Sequence, residues 1–442
     1  MVVALAVGAS SAAAKPVRLD PSFGSNGRMT ITTASEAEDL RIAEANDGDL
    51  LVVVGQTLTA HLPSGRIDRR FGEGGSVPLI NSPGTHLRLG DLAVDGQGRP
   101  VVFGTLENIG DFAMRESYMG GTIDSSVAAV LRFTPTGAPD PTFGSSGVVR
   151  TDLGLPYAEQ SGRPVATAAA GFVDSHDRPV FAGGRVREVG GCGHGYATRQ
   201  DEMVVRLASN GALDTSFGDG DGIESVAGIA TISGLVAGRQ GESIVAASTP
   251  ATCEDGGDGI VIDLRSDGSP EVEFGSAGTR GLPGISTAGV AVDHRGRILV
   301  LGAQPLTVEA SLAHVLRLKA NGKLDRSFGR AGQANVDLPS GNRIGLLATD
   351  RLNRVVLAGT LPPNHPGSSR SWLTAIRLTV GGHLDRNFAN AGRVATGFGA
   401  ASQPRARGML IDRRGRLVLA GVNWNSRTEE SGYGLVRYRE GN

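Results

Sequence analysis

Seven phenylalanines, Phe23, Phe71, Phe143, Phe217, Phe274, Phe328 and Phe388, stand in copies of one short motif spaced 48 to 74 residues apart along the 442-residue chain. An acidic residue lies three positions before each ring: Asp20, Asp68, Asp140, Asp214, Glu271, Asp325 and Asp385. Gly follows each Phe directly except at Ala389, and a second Gly stands four residues on, with the fourth copy shifted to Gly222 by one inserted residue. A unit of this size cannot bury an apolar face alone and must stack on its neighbours. The length of the chain therefore measures the number of repeats rather than of independent domains.

Each copy continues through a short β-rich stretch, such as residues 28–32, and then a turn of the Asp47-Gly48, Asp95-Gly96 or Arg295-Gly296 kind. Gly and Asp tolerate positive φ, so these read as two-residue hairpin turns. Aliphatic runs follow at residues 51–54, 101–103, 180–182, 244–246, 298–301, 355–358 and 417–420. Runs without alternation predict strands buried on both faces. With 66 Gly, 5 % aromatics and 40 % hydrophobics, the composition suits many short strands joined by tight turns.

The last strand of each unit reads aliphatic-Arg-aliphatic around Arg132, Arg206, Arg317, Arg377 and Arg437, and the first four of these stand eight residues before a motif Asp. The spacing predicts a repeated Arg–Asp pair bracing the connection between strands. The fourth unit breaks the pattern with Asp263, before Glu271, and the first with His61. Four strands per period predict an all-β, seven-bladed β-propeller with antiparallel blades and repeats beginning near 19, 67, 139, 213, 270, 324 and 384. Asp20 has no Arg eight residues upstream and Arg437 no downstream Asp. Each end therefore supplies what the other lacks, which predicts a ring closed by pairing the N-terminal strand with the last blade.

The stretches Leu19-Asp20-Pro21-Ser22-Phe23-Gly24 and Leu324-Asp325-Arg326-Ser327-Phe328-Gly329 resemble the delta-60 repeat of bacterial, often exported, proteins, and the resemblance spans nearly all of residues 19–438. It implies a propeller-like architecture and carries no catalytic residues with it. Residues 2–14 form an apolar run of small residues ending in Ala12-Ala13-Ala14, which satisfies a signal-peptidase rule although no Lys or Arg precedes it. The expectation is an exported chain, extracellular or in the cell envelope, with 15–442 as one propeller.

A net charge of −2 with interspersed signs offers no footprint for nucleic acid. No apolar run reaches the roughly eighteen residues of a membrane helix, and the expected state is a monomer. Function is expected on the face carrying the variable loops after the aliphatic strands, the longest being residues 106–126 and 185–201. Candidate ligand contacts there are Asp111, Phe112, Arg115, Tyr118, Arg187, His194, Tyr196 and Arg199.

Cys192 and Cys253 are the only cysteines and fall in equivalent loops of neighbouring units, which predicts a disulfide between blades. A metal held by Cys192, His194 and Cys253 lacks a fourth ligand. Asp219-Gly220-Asp221-Gly222 and Asp255-Gly256-Gly257-Asp258 are similar to calcium loops, yet neither has the Glu at the twelfth position. No cofactor is therefore expected. The eight histidines are scattered and no nucleophile elbow or phosphate loop occurs. A binding scaffold for a glycan, peptide or protein is the first expectation. A hydrolase or lyase with a site composed from several blades, and a purely structural envelope or adhesion module, are the alternatives.

Overall fold

The computed structural model describes residues 17–33, 39–80, 82, 84–109, 123–151, 153, 167–190, 196–250, 257–303, 311–338, 343–362, 370–399 and 402–440. Six four-stranded antiparallel sheets follow one another along the chain. The first holds β3 (Leu40–Glu44), β4 (Leu50–Val54), β5 (Thr57–His61) and β6 (Ser76–Pro78), and the second β7 (Thr85–Val94), β8 (Pro100–Ile109), β9 (Ile123–Arg132) and β10 (Val148–Thr151). The third holds β11 (Ala170–Val173), β12 (Pro179–Gly190), β13 (Tyr196–Arg206) and β14 (Ile223–Val226), and the fourth β15 (Thr231–Ala237), β16 (Ser243–Ser248), β17 (Gly259–Leu264) and β18 (Thr279–Leu282). The fifth runs β19 (Ser286–Val292), β20 (Ile298–Ala303), β21 (Ser311–Leu318), β22 (Gln333–Leu338) and the sixth β23 (Arg343–Thr349), β24 (Val355–Leu361), β25 (Trp372–Leu378), β26 (Arg393–Thr396).

The seventh sheet takes β27 (Ser402–Ile411), β28 (Leu417–Asn425) and β29 (Glu430–Glu440) from the end of the chain and β1 (Val17–Leu19) and β2 (Arg28–Thr32) from its beginning. Both N-terminal strands pair antiparallel with β29, with Val17 opposite Glu440 and Thr32 opposite Gly432. The molecule is a closed seven-bladed β-propeller. Sequence reasoning placed the first strand at β2 and missed β1, a three-residue strand with no periodicity to betray it.

The aliphatic runs form the second strand of each blade, and all five residues of β4 are buried. Apolar clusters lie between neighbouring blades; one joins Leu50 and Val52 to Val418, Ala420 and Leu435, so first and last blades share a core as other neighbours do. The seven motif phenylalanines are all 4 % exposed or less. Their rings anchor the outer connections in these inter-blade cores.

The turn from first to second strand is wider than two residues. Asp95 N–H donates to the Arg99 carbonyl and Gly98 N–H to the Asp95 carbonyl, at 3.1 and 3.0 Å. The left-handed position is Gly98 (φ 78°), not Gly96, and Gly48 and Gly296 hold it in their blades. Loops 106–126 and 185–201 are also shorter than the sequence suggests. Strand pairing in the third blade continues to Gly190 opposite Tyr196, and in the second to Ile109 opposite Ile123.

Candidate functional site: an arginine-walled channel between two unlike faces

The strand directions put the wide turns and the Phe-motif connections on one face, and the loops joining second to third strands on the other. On the first face a third-strand arginine in each of five blades binds four partners, or three in the case of Arg377. Arg132 Nε donates to Asp140 Oδ2 at 2.7 Å, Nη2 to Thr142 Oγ1 at 3.2 Å and Nη1 to the Ser209 carbonyl of the next blade at 2.6 Å. Its guanidinium lies 4.3 Å from the centroid of Phe143. Arg206, Arg317, Arg377 and Arg437 pair in the same way with Asp214, Asp325, Asp385 and Asp20, at 2.7, 2.9, 2.8 and 2.9 Å. Asp20 and Arg437, from opposite ends of the chain, are both buried, and Arg437 Nη1 also reaches the Pro63 carbonyl at 2.6 Å.

A second arginine, which sequence reasoning overlooked, completes this network. Asp95 and Arg99, Asp174 and Arg178, Asp293 and Arg297, Asp350 and Arg354, and Asp412 and Arg416 form ion pairs across the wide turns. Arg99, Arg178 and Arg416 extend to the motif carboxylates Asp140, Asp214 and Asp20 at 3.4, 3.1 and 3.4 Å. An Asp and an Arg four residues apart at five of the seven such turns was the available signal. Burial alone would raise the Asp214 carboxyl, but hydrogen bonds from Ser216 and the Arg206 guanidinium hold it down, at about 2. The repeated arginines and acids of this face, tied to one another in pairs, are taken up by the fold rather than left for a ligand.

The two departures from the brace are filled differently. His61 is buried, its Nε2 lies 2.9 Å from the Tyr433 hydroxyl, and burial pushes the imidazole down to about 4. Asp68 takes Arg70 instead, at 2.8 Å. Asp263 is buried with Oδ1 unpartnered, and burial, followed by Glu242 and Glu271, raises its carboxyl to about 7.

The first strands of the blades line an axial channel holding a cavity of about 840 Å³. Five of these strands carry a β-bulge, between Leu89 and Asp91, Ile232 and Gly234, Thr287 and Gly289, Ile344 and Leu346, and Ala406 and Gly408. A bulge re-aims side chains and adds twist; Arg407 is the bulged residue of β27. The lining is uneven around the axis. The third to fifth blades contribute small residues, among them Ala169, Ala170, Gly234, Ala288 and Gly289, whereas Arg343, Arg405, Arg407 and Arg41 come from the sixth, seventh and first. Arg41 is committed, with Nε on the Gly90 carbonyl at 2.7 Å. Asp91, the one acid of this lining, accepts the Leu92 and Gly171 N–H groups.

A smaller cavity of about 340 Å³ adjoins the channel through Ala169 and holds Asp39, Arg88 and Glu202. Glu202 is 5 % exposed, and burial raises its carboxyl to about 7 against a backbone N–H from Ile232. Neither it nor the channel arginines carry a linear motif, because the residues beside them come from other blades.

Of the candidate contacts expected from sequence, Asp111, Phe112, Arg115, Tyr118 and His194 lie outside the described residues, as do Cys192 and Cys253. Arg187, Tyr196 and Arg199 sit in the β12–β13 hairpin, with Arg187 directly opposite Arg199 in the pairing register. Asp219-Gly220-Asp221-Gly222 forms a turn in which Asp221 Oδ1 accepts the Ile223 N–H at 2.9 Å. Among the described residues no three His, Cys, Asp or Glu gather as metal ligands.

Fold and closure thus define the class, a β-propeller built of repeats. Residues 189–217 match the family described as a domain of unknown function (DUF5122) beta-propeller. No curated protein matches the chain. Among solved structures, a protein of unknown function from Dyadobacter fermentans is similar at 10 % identity over 94 % of this chain and 100 % of that one, with a TM-score of 0.47. An ulvan lyase of polysaccharide lyase family PL25 is similar at 11 % identity over 96 % and 93 %, with a TM-score of 0.45. The polysaccharide lyase Uly1 is similar at 9 % identity over 92 % and 90 %, with a TM-score of 0.46. At such identities none of them bears on activity.

Proposed function

We propose that the chain is an exported β-propeller binding module whose ligand enters the axial channel from the face of the non-repeating loops. The observation that carries this reading is the contrast between the two faces. One is locked by repeated Arg–Asp–Phe braces, while the other leads into a cavity of about 840 Å³ whose arginines are gathered on three of the seven blades. Loops on a rigid scaffold are the usual place for recognition, and the apolar residues 2–14 fit a module sent out of the cell. Gly345 lines the channel, and a Cβ added there meets nothing within 4 Å. Gly345→Trp therefore fills the channel while leaving the strand as it is. Screening the protein on glycan and peptide arrays should give ligands whose binding this variant loses; ligands bound equally by both forms would place recognition elsewhere.

A composite-site hydrolase or lyase has one observation in its favour. Glu202, raised to about 7 in a cavity with Asp39 and Arg88, has the proton affinity of a general acid at neutral pH. Cleavage of a bound glycan that disappears in Glu202→Gln would support it. Bound glycan recovered intact from the wild type would remove it.

A further inference from the structure

The channel lining is more basic than the chain as a whole. Four arginines and one aspartate face the cavity in a chain whose net charge is −2. Arg343, Arg405 and Arg407 are exposed, and none has a side-chain hydrogen bond or ion pair among the described residues. The five brace arginines are buried or nearly so and each is paired. Guanidinium groups left unpaired on the wall of a confined cavity concentrate a positive field there, and their planar donor forks fit carboxylate or sulfate oxygens.

Two further features lie in the same sixth and seventh blades. Both tryptophans of the chain are there: Trp372 opens β25 next to Ser371, which lines the channel, and Trp424 stands opposite Gln403, another lining residue. Trp424 is 37 % exposed. An exposed indole presents a flat apolar face with a polar edge, a surface suited to the C–H face of a sugar ring. The opposite wall is built largely of small residues, Ala169, Ala170, Ser233, Gly234, Ala288 and Gly289. It leaves room for a chain of rings, with the Gln403 amide available to hydroxyl groups.

We infer that the channel mouth between the sixth and seventh blades binds an anionic saccharide, with Arg343, Arg405 and Arg407 holding its carboxylate or sulfate groups and Trp424 stacking on a ring. This rests on the channel being the binding site, and deepens that reading by naming the ligand class. Arginines placed to grip the ligand, rather than to brace the fold, are expected to be removable without loss of stability.

Isothermal titration calorimetry tests it with a galacturonic acid hexamer, a heparin hexasaccharide, maltohexaose and hexaglutamate, against the wild type, Arg343→Gln, Arg405→Gln, Arg407→Gln, Trp424→Ala and Gly345→Trp. The expected result is binding of one or both anionic saccharides, weakening as salt is added, and about tenfold loss for each arginine variant with unchanged melting temperature. The preferred hexamer tells carboxylate from sulfate recognition. Maltohexaose bound as tightly as the anionic hexamers, and lost only in Gly345→Trp, would overturn the anionic preference while leaving the channel as the site. Hexaglutamate bound as tightly as either would overturn the saccharide assignment. Failure of both anionic hexamers to bind would overturn the inference, and the array screen would then decide separately whether the channel binds anything.

Discussion

At the residue scale, one solution is used five times: an arginine held by a carboxylate, a neighbouring blade's carbonyl or carboxylate, and a phenylalanine face. Its counterpart in the fourth blade is informative because the arginine position there is the buried Asp263, whose Oδ1 lacks a partner and whose carboxyl is raised to about 7. The unfolded chain ionises this group near pH 4, whereas the folded chain keeps the proton until about pH 7. Stability is therefore lost as pH rises between those values. Asp263→Asn should stabilise by about 1–2 kcal/mol at pH 8 and by nothing near pH 4, measured by urea unfolding at both. A gain that does not change with pH would show that the carboxyl is ordinary. Asp214, held at about 2, has the opposite sign: its contribution is complete above pH 4 and disappears as pH falls towards 2.

At the scale of elements, the decisive strand is β29, which carries β28 on one edge and both N-terminal strands on the other. The approach of β2 depends on Gly432, where an added Cβ would lie 2.1 Å from the Ile31 carbonyl oxygen. Gly432→Ala should push β2 away and cost about 1–3 kcal/mol. Gly345→Ala, with nothing within 4 Å, should stay close to the wild type. Equal unfolding midpoints for the two variants would show that β2 contributes nothing to closure. The same scale explains what the sequence hid about the long loops. Pairing in β12 and β13 continues as far as Gly190 and Tyr196 through polar residues such as Arg187, Glu188 and Gln200, and polar strands lack the aliphatic signature that marks a buried one.

At the scale of the whole molecule, the seventh blade interlocks the ends of the chain. Val17 and Glu440 are opposed in the sheet, so a short Gly linker between them permits circular permutation. Reopening the chain in the turn at residues 319–323 would move the interlock to the fifth blade, because the new N-terminal segment would carry the Asp325 motif and β22. Reopening at 283–285, between the fourth and fifth blades, would leave the new ends without a shared sheet. The first permutant should melt within about 5 °C of the wild type and the second at least about 5 °C lower than the first, by calorimetry. Equal melting of both would show that the shared blade adds no stability.

The repeat itself was legible because everything that defines it is local: an Asp three residues before a Phe, a glycine at a left-handed turn, an arginine eight residues before the acid. Such spacings express turn and strand geometry within one blade, and the unmatched Asp20 and Arg437 carried the closure as well. The channel was not legible. Arg343 and Arg405 stand at one register position, seven residues before Asp350 and Asp412, but on two strands separated by a whole blade of sequence, Arg407 is added by a bulge, and the small-residue wall facing them comes from three other blades. They face one cavity only because the ring closes, and a local pattern contains no information about what lies across an axis.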